Sequence, residues 1–227
     1  MKTKSILAII ALFSLSAFST TLLASYSERI CKSPEYDCYK VKKGETWESL
    51  FPDEENRLYV RKINRMNIAV QPGTTIAVPK DKSIDSKEYL TYSPLPQQIP
   101  ATGEELIKVQ LSTFAWAAYN PDGTLVNWGP ISGGKSCAKG GCKSLYGTYN
   151  FYRKQGSGCV SSKYPLPRGG APMPYCMHFK GGYAMHGSPV VPGYHASHGC
   201  IRMFTDDAKW LNQFFVDLGS TKVRIIP

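Results

Sequence analysis

Hydrophobic and polar positions change their period along the chain, and each change marks a segment. Behind Lys2 and Lys4, the stretch Ser5 to Leu23 is mostly apolar and carries no charge. A short positive region, an apolar run and small residues at its end predict a secretory signal peptide over 1–24, cut between Ser19 and Ser25. The alternative is an uncleaved N-terminal anchor helix. From Tyr39 to Pro79 the pattern is shorter in range. Val41 before the Gly44 turn predicts a strand, and Thr46 stands where a cap would start a helix through Leu50. Leu58, Val60, Ile63 and Met66 recur at loosely helical spacing. Gln71-Pro72-Gly73-Thr74 reads as a turn and Thr75 to Pro79 as a strand. The expected order is strand, helix, helix, strand in a small module at 38–80.

Residues 81–103 are charged and polar and then hold Pro94, Pro96 and Pro100. That composition predicts an extended, polyproline-like linker that keeps two domains apart. A second domain is expected over 104–227. Ile107, Val109 and Leu111 alternate with polar residues, as in a half-buried strand, and Phe114 to Tyr119 continues it. Asn120-Pro121-Asp122-Gly123 is a turn, and Thr124 to Trp128 a return strand. Thr205 to Leu218 reads as the one clear helix, with Thr205 as cap and Asp206 and Asp207 in the first turn. Its apolar face is Ala208, Leu211, Phe215 and Leu218 with Phe214 beside them, and Gly219 ends it. Lys222 to Ile226 is a last strand. The fold class is mainly β with one C-terminal helix packed on the sheet.

A secreted chain with seven cysteines is expected to pair six of them. The simplest pairing is local: Cys31–Cys38, Cys137–Cys142 and Cys159–Cys176. Cys200 is then the thiol left over. Cys137 and Cys142 lack the matched second set of a zinc site, so no metal and no other cofactor is expected. The formal charge of +10 draws the protein toward anionic wall polymers or a membrane surface. Nucleic acid is not expected, since no nucleic-acid motif accompanies the charge.

The residues around Cys200 carry the chemistry. Ser197-His198-Gly199-Cys200-Ile201-Arg202 follows an upstream Met185-His186-Gly187-Ser188. A thiol attacks a carbonyl as thiolate, and nearby cations such as Arg202 favour that form. His186 is the candidate general base and acid. The backbone N–H groups of Gly199 and Cys200 are candidate oxyanion donors. Arg202 can hold a substrate carboxylate bidentately. His198 would add a donor or hold the loop, and Ser197 would bond within it. His178 reads as a strand residue and His195 as a loop residue. Tyr164 to Met177 and Val191 to Tyr194 are candidates for the walls of the site. No Asp or Glu lies between residues 123 and 205 to orient His186.

The pattern SHGC-x-R with a preceding His resembles the signature of the YkuD-type L,D-transpeptidases of the bacterial cell wall. Gly147 and Tyr149 also fit a strand of that family, whereas Ser144 and Leu145 replace its usual Thr and Pro. The resemblance implies a YkuD-like β-sandwich and a backbone carbonyl, that of Gly187, as the orienter of His186. It implies attack by Cys200 on a stem tetrapeptide, a thioester, 3→3 cross-linking in the periplasm or cell envelope, and acylation by carbapenems. Val41-x2-Gly44-Glu45-Thr46-x3-Leu50, Ile63-Asn64-x2-Asn67 and Pro72-Gly73-Thr74-x-Ile76-x-Val78-Pro79 resemble a LysM module, which implies a βααβ unit binding peptidoglycan glycan. Three other readings stay open: an L,D-carboxypeptidase, an enzyme that attaches a protein to the wall, and a non-enzymatic peptidoglycan-binding surface protein.

Overall fold

The computed structural model describes residues 25–81, 84–139 and 145–227. The expected signal peptide and Cys142, with its expected bond to Cys137, lie outside the described residues. The described chain begins with a short helix, α1 (Tyr26–Ile30), closed by a capping box between Ser25 and Glu28. The Cys31–Cys38 disulfide then ties α1 to the first strand.

The next elements are β1 (Tyr36–Lys40), α2 (Trp47–Leu50), α3 (Glu54–Ile63) and β2 (Thr75–Pro79), with β1 and β2 antiparallel. Thr46 caps α2 and Asp53 caps α3 by accepting bonds from backbone N–H groups. Val41, Trp47, Val60, Met66, Val70 and Ile76 form a small core of their own. Asn64 is fully buried there. Its amide donates to Val60 and Ala77 carbonyls at 2.9 and 2.8 Å and accepts from the Ala77 N–H at 2.7 Å. Every polar atom of that side chain is therefore satisfied, as burial requires.

The segment expected to be an extended linker is not one. Asp85 caps a helix, α4 (Ser86–Thr91), and Ile84, Tyr89 and Leu95 are buried. Tyr89 stacks between Tyr59 and Trp128, with ring centroids 4.7 and 4.5 Å away. The apolar residues before and among the prolines decide the outcome, because burying them against a neighbouring face outweighs the prolines' preference for extended chain. The two domains are joined by a shared core rather than held apart.

That shared core lies on the outer face of a large sheet. Its strands are β3 (Leu106–Gln110), β4 (Ala115–Tyr119), β5 (Leu125–Ser132), β6 (Gly147–Asn150), β7 (Arg153–Lys154), β8 (Met177–Lys180), β9 (Tyr183–Gly187), β10 (Ile201–Met203) and β11 (Lys222–Ile226). They form one nine-stranded sheet in the order β6-β11-β3-β4-β5-β10-β9-β8-β7. A two-sheet sandwich is thus realised as a single curled sheet, with β10 bridging β5 and β9. The main core lies between its halves and includes Ile107, Val109, Trp116, Ile131, Met177, Met185, Ile201 and Val223.

Strand β4 is buried at every position. Trp116 and Ala118 face the main core, while Ala115, Ala117 and Tyr119 face the shared core with Ile63, Ile84, Tyr89 and Trp128. A strand covered on both faces shows no alternation, which is why Phe114 to Tyr119 read as a continuation of β3. It is instead the antiparallel partner of β3, with Leu106 opposite Tyr119. The reversal at Ser112-Thr113-Phe114 contains no Gly or Pro, and Phe114 takes a φ of 51°.

The C-terminal helix is shorter than expected and differs at both ends. It is α5 (Thr205–Trp210), running on as a π-helix over Leu211–Phe215. Phe204 occupies the cap position and no side chain caps it, so Thr205 is already inside the helix. Ala208, Leu211 and Phe215 are buried as expected, but Phe214 and Leu218 are 77% and 48% exposed. The wider π turn shifts the phase and carries Phe214 off the apolar face.

Candidate active site

Register places the candidate residues on one surface. Strands β9 and β10 are parallel, with Met185 beside Ile201, His186 beside Arg202 and Gly187 beside Met203. Met185, Ile201 and Met203 point into the main core. Side chains alternate along a strand, so His186 and Arg202 share the opposite face, and Cys200 precedes Arg202 by the same two-residue step. Two adjacent strands thereby bring base, cation and thiol together outside the core.

His186 is buried, and its Nδ1 lies 2.8 Å from the Gly187 carbonyl oxygen. A carbonyl only accepts, so Nδ1 carries the proton and Nε2 is left with a lone pair. Burial lowers the pKa of His186 to about 4; the Gly187 bond works against that, and Arg202 and His178 reinforce it. The imidazole is therefore neutral at neutral pH and able to take a proton at Nε2.

Cys200 is free and half-buried. Its Sγ lies 3.8 Å from the Gly182 carbonyl, in the turn between β8 and β9. Burial raises the thiol pKa, while the Ala184 backbone N–H and the Arg202 guanidinium act to lower it. The net direction is upward, so the cation expected to favour thiolate does not prevail in the resting site. Arg202 acts on both partners: it favours the thiolate and disfavours the imidazolium.

The loop before Cys200 is built on backbone contacts. Ser197 bridges to Gly133 and Lys135 through its backbone, at 2.9 Å each. Its hydroxyl donates to the Cys200 carbonyl at 2.5 Å and accepts the Gly199 N–H at 3.0 Å. Ser197 thus bonds within the loop, as the sequence suggested. The Gly199 N–H, one of the two donors expected for an oxyanion, is bonded to the Ser197 hydroxyl in this structure. Gly199 has a φ of 145°, and a Cβ there would lie 2.8 Å from the Tyr183 ring. Both the backbone angle and the close approach call for glycine.

His198 is exposed and stacks on Tyr164, with centroids 4.5 Å apart. It holds the loop through its ring face. The Tyr164 loop is anchored by the Cys159–Cys176 disulfide. Cys159, Met173, Cys176 and Ala184 form a small cluster against which Cys200 packs. His178 is a buried strand residue near Arg153, at 2.9 Å.

Residues without a motif complete the site. The Gly133 N–H donates to His195 Nδ1 at 3.0 Å, and the His195 ring lies 4.6 Å from Phe114. The Ser132 hydroxyl donates to the Tyr194 carbonyl and accepts the Ala196 N–H. Asn67, far away in sequence, bonds the segment just after Gly187. Only the assembled sheet reveals these, since none shares a local pattern with Cys200. Among the described residues, no cluster of His, Cys, Asp or Glu could hold a metal ion.

A neutral imidazole of fixed tautomer and a free thiol, each near the Arg202 guanidinium, are parts that a cysteine-nucleophile site requires. Residues 104–225 match the family model of YkuD, the L,D-transpeptidase catalytic domain. The chain belongs to that family and is an enzyme of that kind. Its fold is similar to that of an L,D-transpeptidase from Stackebrandtia nassauensis, at 17% identity and a TM-score of 0.50, covering 77% of this chain and 78% of that one. An L,D-transpeptidase from Xylanimonas cellulosilytica aligns at 20% identity and a TM-score of 0.46, over 66% of this chain and 74% of that one. One from Mycobacterium smegmatis aligns at 22% identity and a TM-score of 0.45, over 55% of this chain and 59% of that one. No curated protein matches the chain.

Proposed function

We propose that Cys200 performs acyl transfer on peptidoglycan stem tetrapeptides. The Cys200 proton moves to His186 Nε2 as Sγ bonds the carbonyl carbon that precedes the terminal D-Ala. The C–N bond then breaks, the proton passes to the departing amine, and a thioester remains. The amine of a second stem attacks it, and the thiolate leaves to be reprotonated. The product is a 3→3 cross-link. Arg202 holds a substrate carboxylate, and the Cys200 N–H is the remaining backbone donor of the two expected for the developing oxyanion. The bond from His186 to the Gly187 carbonyl carries this reading, because it fixes the tautomer that can accept the thiol proton.

The reading extends to the rest of the molecule. The βααβ unit at 38–80 is a LysM-like module that holds glycan, supported by its residue pattern and by the strand and helix order it adopts. The site works outside the cytoplasm, in the periplasm or cell envelope, supported by the apolar leader and by the disulfides at Cys31–Cys38 and Cys159–Cys176. Carbapenems acylate the same sulfur. Incubation with a disaccharide tetrapeptide followed by mass spectrometry tests the proposal. A dimer that has lost D-Ala is the expected product. A tripeptide would reassign the enzyme as a carboxypeptidase, and transfer only to an added protein amine would make it a wall-attachment enzyme. Absence of all three products and of any carbapenem adduct at Cys200 would leave a non-enzymatic peptidoglycan-binding role.

A further inference from the structure

We propose that Asn67, in the N-terminal unit, is a positioning residue for catalysis by the C-terminal domain. Its side chain spans the start of the loop that leaves the active-site strand. The Asn67 Nδ2 donates to the Ser188 carbonyl at 2.7 Å, and the Val191 N–H donates to Asn67 Oδ1 at 2.7 Å. The Asn67 N–H donates to the Val191 carbonyl at 3.0 Å, and Met66 forms a β-bridge with Pro192. Asn67 is itself held, since Arg61 donates to its carbonyl at 2.7 Å. Residues 188–191 are thus fixed at both ends by one amide.

The position of this contact gives it a catalytic consequence. Ser188 directly follows Gly187, whose carbonyl sets the tautomer and direction of the His186 ring. On its inner side Gly187 has little room: a Cβ there would lie 3.0 Å from Thr205 Cα and 3.2 Å from the Pro174 carbonyl. The Gly187 N–H donates to Pro174 and the Ser188 N–H to Met203. These bonds fix the strand side of the peptide that carries the Gly187 carbonyl, and Asn67 fixes the loop side. A neighbouring ion pair, Lys62 to Asp207 at 2.5 Å, keeps α3 seated against α5. The N-terminal unit is therefore part of the machinery that aims His186, whether or not it also holds glycan.

The inference rests on the proposed chemistry at Cys200, and the test separates the two. In the full mature chain, the rate of Cys200 acylation by meropenem is measured by mass spectrometry for wild type and Asn67→Ala. Alkylation by iodoacetamide, which needs the thiolate but no aimed base, is measured in parallel. Asn67→Ala is expected to lower acylation by about 10- to 100-fold, with alkylation within about twofold of wild type. Acylation at the wild-type rate would overturn the proposal, as would an equal fall in both reactions. Where Asn67→Ala fails to fold, Asn67→Asp keeps the shape and replaces the donor to Ser188 by a carboxylate oxygen that the carbonyl repels, with the same expectations. If wild type is not acylated at all, the proposed chemistry fails on its own. Hydrogen exchange at the Val191 N–H then decides: faster exchange confined to 188–192 in Asn67→Ala supports positioning, and unchanged exchange overturns it.

Discussion

Two loops reach Cys200, and they are fastened by different means. The chain from Gln155 to Cys176 is tied at its base by the Cys159–Cys176 disulfide, beside the sulfur of Cys200. The chain from Ser188 to Gly199, which links the candidate base to the candidate nucleophile, contains no cysteine to tie it. It is held by Asn67, by Ser132 and by His195, all through neutral hydrogen bonds. The His198–Tyr164 stack joins the two loops. One loop is thus indifferent to acid and sensitive to reductant, and the other is the reverse. The first depends on its disulfide staying oxidised, and the second on a folded N-terminal unit.

The largest effects come from removing what both loops serve. Cys200→Ala is expected to abolish acylation by substrate and carbapenem. His186→Ala should lower the acylation rate by about 10²- to 10⁴-fold while the thiol remains open to alkylation. Mass spectrometry of the intact protein reads both. If His186→Ala acylates at the wild-type rate, the loops hold something other than a base.

Next is the seat of the N-terminal unit. Lys62 and Asp207 are both buried, and burial raises the Asp207 pKa while Lys62 opposes it. Lys62→Met leaves a buried carboxyl without its partner, at a cost of about 3–5 kcal/mol. Urea unfolding measures it. The double substitution Lys62→Met, Asp207→Leu should recover most of the loss, because two well-packed apolar residues leave no buried charge. The polar loop should loosen in the single variant and the disulfide-tied loop should not.

The parts legible in the sequence are those where pattern and chemistry are local. SHGC-x-R, the upstream His186, the Gly187 carbonyl, the free Cys200 and the pairs Cys31–Cys38 and Cys159–Cys176 all lie within short spans. The sheet's final strand and the strand and helix order of the N-terminal unit were legible for the same reason. What was hidden depends on long-range burial. Strand β4 lost its alternation because two cores cover it. The segment expected to be a linker became a short helix and seal because Ile84, Tyr89 and Leu95 found a sheet face to cover. Asn67 and His195 act across more than 60 residues, and no local spacing announces that. The loss of the Gly199 N–H to Ser197 is local, yet it depends on a rotamer that a motif does not specify.

Acid should separate the loops. Burial holds both His186 and His195 at about 4 in the folded protein. In the unfolded chain each titrates near its ordinary value of about 6.5. Between those values the unfolded chain binds protons that the folded one refuses, so acidification favours unfolding. Stability is complete above about 6.5, falls as pH drops toward about 4, and levels off below. Thermal midpoints across that window should show the slope, and His195→Gln should make it shallower. A slope unchanged by His195→Gln would mean that the ring does not keep its Gly133 bond in solution. The disulfide contributes nothing to this slope. Its own test is Cys159→Ser with Cys176→Ser, expected to cost about 3 kcal/mol for a separation of 17 residues. Urea unfolding reads that cost, and acylation should fall less than in Asn67→Ala, because the base remains aimed.

The smallest expected effect lies outside both loops and checks the phase of the last helix. The apolar spacing put Phe214 with Leu211 and Phe215 on the buried face, whereas the π turn leaves Phe214 77% exposed. The two placements differ sharply in energy. A buried Phe cut back to a small residue costs about 3–5 kcal/mol. A surface substitution stays within about 0.5 kcal/mol. Phe214→Ser should fall in the second range and Phe215→Ser in the first, as measured by urea unfolding. A large loss at Phe214 would mean that the helix keeps the ordinary α period to its end. Asn212, which donates to the Cys176 carbonyl from the same π turn, would then also be misplaced. The disulfide-tied loop would lose the bonds that Asn212 gives to its Gln155 and Cys176 carbonyls, and the contrast with the polar loop would widen.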